Sequence, residues 1–105
     1  MKLIVAIVDD SDVTEVLTAL TGQRFSVTRV SSTGGLLSSG NSTLLIGVDE
    51  KNVPEVMSVL AHVAPLRQSV MPATYEGNVI LTSLVEIQVG GFQSFVLNVA
   101  HFEQV

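Results

Sequence analysis

Apolar residues run almost unbroken from Leu3 to Val8, and the stretch Lys2 to Val8 is rich in β-formers. Such a run suits a buried central strand. At Asp10, Ser11 and Asp12 the period changes to that of a helix. Any of the three can cap, and Asp12 with Glu15 puts negative charge where the helix dipole favours it. Val13, Val16, Leu17 and Leu20 then recur at helical spacing, and Gly22 closes the segment. From Phe25 to Val30 the pattern alternates, with Phe25, Val27 and Arg29 on one face and Ser26, Thr28 and Val30 on the other. This predicts a half-exposed second strand.

Ser31 to Ser42 is polar and glycine-rich, and Thr43 to Val48 resumes as an apolar strand. Asp49, Glu50 and Asn52 introduce a second helix with Pro54 in its first turn. Its buried stripe is expected at Val53, Val56, Met57, Leu60, Val63 and Ala64, and Pro65 stops it. Leu66 to Thr82 reads as a long irregular connection with weak apolar spots at Val70–Met71 and Val79–Leu81. Leu84 to Val89 alternates again, Gly90–Gly91 is a hairpin-type turn, and Phe95 to Val99 is the returning strand. Strand, helix, strand, strand, helix, strand and an added strand make a single α+β domain over 1–105. The expected architecture is the ferredoxin-like βαββαβ arrangement, an antiparallel sheet with two helices on one face.

Composition adds that the other sheet face must be covered. Of 105 residues 47% are hydrophobic and only 14% charged, against roughly 25% charged in typical soluble domains. A chain so poor in charge collapses rather than staying disordered. A monomer would have too few charges to coat its surface, so copies of the chain are the expected cover. Five basic residues face ten acidic ones, a net charge of −5. No basic stripe exists to bind a nucleic-acid polymer. The apolar runs are far too short to span a membrane, and aspartates follow the first run too soon for a signal peptide. Without cysteine there is no disulfide, thiol nucleophile or cysteine-held metal. A cytoplasmic protein is expected.

Three constellations bear on chemistry. Asp9 and Asp10 after the first strand, with Asp49 after a later one, are similar to the aspartate pocket of response-regulator receiver domains. There carboxylates hold magnesium while one accepts a phosphoryl group. That family also needs a late lysine, and the last one here is Lys51, so helix-start charges are the competing reading. His62 and His101 each lack a second histidine at ligand spacing, and no G-x-S-x-G elbow serves the serines. No catalytic residue, metal site or cofactor is therefore expected. The third constellation is the loop from Ser31 to Thr43. Its three glycines let backbone amides approach a ligand and form an anion-binding concavity. Asn41 supplies both a donor and an acceptor, as reading a base edge requires. Leu36 and Leu37 either pack locally or line a pocket. No lysine follows the glycines, so this is not a Walker loop.

The run Thr33-Gly34-Gly35-Leu36-Leu37-Ser38-Ser39-Gly40-Asn41-Ser42-Thr43 resembles the signature of the PII-like cyclic di-AMP receptor family. The resemblance extends over the chain: the opening strand Met1 to Val8, Gly47-Val48 with the acidic residues after it, Val89-Gly90-Gly91, Phe95-Val96-Leu97, Phe102 and Gln104. It implies a non-enzymatic receptor, a homotrimer of ferredoxin-like subunits binding one cyclic di-AMP in each cleft between neighbours and signalling to a downstream protein through loop movement. The loop at about 31–42 corresponds to a short T-loop, and 66–82 to an extended B-loop.

By the same resemblance, Arg24, Ser26, Val27 and Thr28 on the second strand lie where the family contacts phosphate and base. Thr33 opens the binding loop, in which Gly34, Gly35, Leu36 and Leu37 would wrap one adenine. Asn41 would bond the adenine edge, helped by the backbone near Gly47. Phe95 and Gln104 would close the pocket from an adjacent subunit. Members usually carry phenylalanine where Leu36 stands, and a ring stacked on a base is worth about 1–3 kcal/mol. Some carry arginine where Ser26 stands, a place Arg24 could serve. A PII-like interaction module that has lost this ligand or binds another nucleotide is the alternative reading.

Overall fold

The computed structural model describes residues 1–30, 40–75 and 78–105, with the side chains of 69–87 outside the description. The chain forms an antiparallel sheet carrying two helices, and a separate two-stranded hairpin. The elements are β1 (Lys2–Asp9), α1 (Val13–Gly22), β2 (Ser26–Val30), β3 (Asn41–Val48), a short 3-10 turn at Glu50–Asn52, and α2 (Val53–Val63). They are followed by β4 (Arg67–Tyr75), β5 (Asn78–Val89) and β6 (Phe92–Asn98). The main sheet has the order β2-β3-β1-β6, all neighbours antiparallel, while β4 and β5 form a second, two-stranded sheet.

The alternation in the strands decides where the core sits. Ile4, Ala6 and Val8 of β1 and Leu44, Ile46 and Val48 of β3 point to one face. There they join Val13, Val16 and Leu20 of α1, Val56, Val59 and Leu60 of α2, and Ala64 just after it in one buried cluster. Burying each valine, leucine or isoleucine among them is worth about 1.5–3 kcal/mol. The stripe expected on α2 is present, with Val59 in addition and with Val53, Met57 and Val63 only half-buried.

Three readings of the sequence need correction. The segment 66–82 is not an irregular connection, because Arg67–Tyr75 and Asn78–Val89 pair as a long hairpin with a register shift between Pro72 and Ala73. Proline cannot donate to a ladder, and bulges are where strands tolerate it. Gly90–Gly91 does not close a hairpin either. β6, rather than the strand ending at Val89, pairs with β1, and the two glycines, at φ +80° and +74°, carry the chain from one sheet into the other. Finally, β3 begins at Asn41, so Asn41 and Ser42 belong to the strand and not to the preceding loop.

Candidate functional site

Cross-strand partners share a face, so the register also defines the side of the sheet opposite the helices. One row across it reads Thr28, Leu45, Val5, Phe95, and the next Ser26, Gly47, Leu3, Leu97. Among the described residues nothing covers the apolar members of these rows near β6, where Phe95 is 54% and Leu97 49% exposed.

This geometry gathers some of the expected binding residues and separates others. Ser26 and Gly47 are direct partners, with Thr28 two residues along on the same face, and all three are exposed. Val27 points instead to the core side, opposite Ile46, leaving its backbone for any ligand. Arg24 is not on the strand. It lies in the connection after α1 with φ +69°, its amide donating to the Thr21 carbonyl at 3.0 Å. Asn41 stands six residues from Gly47 along β3, roughly 20 Å at ~3.3 Å per residue, so one adenine cannot meet both within a single chain. Phe95 lies three strand spacings from Thr28, about 14 Å. Gln104 is exposed beyond β6. Thr33, Gly34, Gly35, Leu36 and Leu37 lie outside the described residues.

Asn41 lines a cleft of about 470 Å³ together with Ile7, Asp9 and Gln93 of the open face. Leu66, Gly90, Gly91 and Phe92 close it from the side of the hairpin. The Asp9 carboxylate accepts from the Ser11 amide and hydroxyl, each at 2.9 Å. Those two bonds hold its carboxyl below the ordinary value against a smaller opposing effect of burial, and the Gly90 amide and the Arg67 charge add to them. A carboxylate accepts only, whereas the Asn41 amide donates and accepts. The pair therefore suits a group with N–H donors, such as the exocyclic amine of a base, and repels phosphate.

The aspartates do not form a phosphoacceptor pocket. Because β1 and β3 are antiparallel, Asp9 and Asp49 lie at opposite ends of the sheet, roughly 25 Å apart along the strands. No group of three or more metal-ligating side chains occurs among the described residues. Nor do the aspartates cap α1 with their side chains, although Asp12 is its N-cap residue. Asp12 instead accepts two N–H bonds from Arg67, at 2.9 and 3.3 Å. That partnership keeps Arg67 protonated above the ordinary arginine value, against an opposing effect of burial. Asp10 accepts from the buried Ser42 hydroxyl, to which Arg29 also donates at 3.1 Å. A hint of this cluster was available in the alternation of β2. Arg29 follows Phe25 and Val27 on the core-facing side, where a charge needs an anionic partner. His62 is exposed on α2, and His101 Nε2 lies 3.7 Å from a carboxylate oxygen of Glu103. No helix among the described residues is long and apolar enough to cross a membrane.

A family profile described as "Cyclic-di-AMP receptor" matches residues 1–105. The chain is also similar to the crystal structure of a functionally unknown protein from Pediococcus pentosaceus. The two are 35% identical over 99% of this chain and 96% of that one, with a TM-score of 0.77.

Proposed function

Since the chain belongs to the cyclic-di-AMP receptor family, we propose that it is a non-enzymatic PII-like receptor that binds cyclic di-AMP in clefts between subunits of a homotrimer. The strand order β2-β3-β1-β6 with both helices on one face supports the ferredoxin-like description. The observation that supports the shared cleft is the sheet face that no described residue covers. It presents Thr28 and Phe95 in one row but about 14 Å apart, and Asn41 and Gly47 at opposite ends of one strand. A site that uses all four takes them from neighbouring chains, and the same packing covers Phe95 and Leu97.

In this reading the phosphates lie at the Thr28 end, held by its hydroxyl, by backbone amides and by Arg24. Net charge −5 makes that arginine the main local attraction for a dianion. One adenine enters the cleft at Asn41, with Asp9 available to accept from its amine. Gly34, Gly35, Leu36 and Leu37 are assigned to the base, with Leu36 in the place of a stacking ring. The protein acts in the cytoplasm by passing ligand occupancy to a downstream protein.

Isothermal titration of the full chain with cyclic di-AMP, cyclic di-GMP and ATP tests the ligand. Heat with the first at about one site per chain is expected. Equal binding of all three, or no heat with cyclic di-AMP, would leave the interaction-module reading in its place.

A further inference from the structure

The turn that joins β1 to α1 is bonded outward on both sides. On one side Asp10 grips the two residues that flank Asn41. Its amide donates to the Gly40 carbonyl at 2.7 Å, and its carboxylate accepts from the Ser42 hydroxyl. Ser42 is only 4% exposed, and Arg29 donates to its oxygen at 3.1 Å while lying 3.9 Å from Asp10. On the other side the turn holds the root of the β4–β5 hairpin. Asp12 is 5% exposed and takes both Arg67 N–H bonds, a two-point contact that fixes direction as well as distance. Arg67 is the first residue of β4 and pairs with Val89, the last of β5. It also donates to the Pro65 carbonyl at 3.0 Å. At Gly90, next in the chain, an added side chain would strike the Arg67 guanidinium and the Pro65 carbonyl.

The turn itself is stiff. The Asp12 amide donates to the Asp9 carbonyl at 2.9 Å, and both Ser11 donors reach the Asp9 carboxylate. Four consecutive residues thus join the Asn41 end of β3 by hydrogen bonds to Arg67, the first residue of β4, whose strand partner is Val89 at the end of β5.

We propose that the Asp9–Asp12 turn is a coupling element, with Asp10 and Asp12 as positioning residues that tie the setting of Asn41 to the base of the β4–β5 hairpin. Ligand held at Asn41 then changes the hairpin, and the hairpin changes affinity in return. The part played by ligand rests on the receptor reading above, whereas the mechanical link does not. A purely structural role for these bonds would let Ser42 and Arg67 substitutions act independently.

Hydrogen exchange of the full chain, read by mass spectrometry, separates the two. Without ligand, Ser42→Ala is expected to speed exchange over 67–75 and at Val89 by about two- to thirtyfold. It should add nothing once Arg67→Gln is present, with Asp12→Asn as a second background. Amides of α2 serve as the internal control, and in all variants they stay as slow as in the parent. With cyclic di-AMP, the parent is expected to slow exchange in the hairpin, and Arg67→Gln to bind but lose that response. If Ser42→Ala leaves the hairpin unchanged, or acts equally in the Arg67→Gln background, the coupling is overturned whatever the ligand does. A hairpin response that survives Arg67→Gln overturns it too. If the ligand-free arm behaves as expected and cyclic di-AMP does not bind, the receptor reading alone fails.

Discussion

Replacing Phe95 tests the uncovered face without touching the core. Its side chain is on the face opposite the helices and is absent from the buried cluster. A phenylalanine offers about 200 Å², and with 54% of it exposed roughly 100 Å² remains for a neighbouring subunit to cover. At about 25 cal/mol per Å², covering it stabilises each subunit contact by ~2.5 kcal/mol, of which alanine forfeits about 2. Three such contacts in a closed ring sum to about 6 kcal/mol, roughly four powers of ten in the assembly constant. Phe95→Asp places a charge on the same face and goes further. Light scattering coupled to size exclusion, across a hundredfold range of concentration, reads the result. The parent is expected at three times 11.1 kDa, and Phe95→Ala is expected to dissociate on dilution. Both variants should keep the parent's far-ultraviolet circular dichroism. A parent that is monomeric at every concentration refutes the reasoning, as does a Phe95→Asp chain that assembles like the parent.

Further outcomes follow from the cleft. Asn41→Ala is expected to weaken cyclic di-AMP binding about tenfold, the worth of one or two hydrogen bonds, and unchanged heat of titration would mean that Asn41 does not read the base. Asp9 has a lowered carboxyl value in the folded chain, so its stabilising contribution is present above the unfolded value of about 3.9 and is lost as pH falls through the folded one. Thermal melts from pH 6 to pH 2 should therefore fall less steeply for Asp9→Asn than for the parent, and parallel curves would contradict the Ser11 contacts. Gly90→Ala meets the Arg67 guanidinium at a φ of +80° and is expected to cost about 1–3 kcal/mol. Urea denaturation reads that cost, and an unchanged midpoint would argue against the close approach at the hairpin root.

Local periodicity was enough to find β1, α1, β2, β3 and α2, because each buries one side against the same core. The hairpin was hidden for a physical reason. Arg67 to Tyr75 has no clean alternation and contains Pro72, and its partner β5 is recognised only by long-range pairing. The glycine pair misled in the same way. Two glycines between strand-like runs suit a tight hairpin, yet here they redirect the chain between sheets. Of the candidate site, the glycine-rich loop and Asn41 were visible as composition and signature. The work of the acidic turn was not, since Ser42 stands 32 residues from Asp10 and Arg67 stands 55 from Asp12. Aspartates beside a helix start look like caps until their distant partners are placed. The register supplied one unexpected element, the separation of Asn41 from Gly47 along β3, while the distance of Thr28 from Phe95 accords with the expectation that Phe95 closes the pocket from an adjacent subunit.

Native mass spectrometry of the full chain titrated with cyclic di-AMP addresses ligand, assembly and stoichiometry together. The account predicts a trimer that takes up one, two and then three cyclic di-AMP molecules, with no comparable uptake of cyclic di-GMP. A monomer carrying ligand, or a trimer that takes up none, would contradict it.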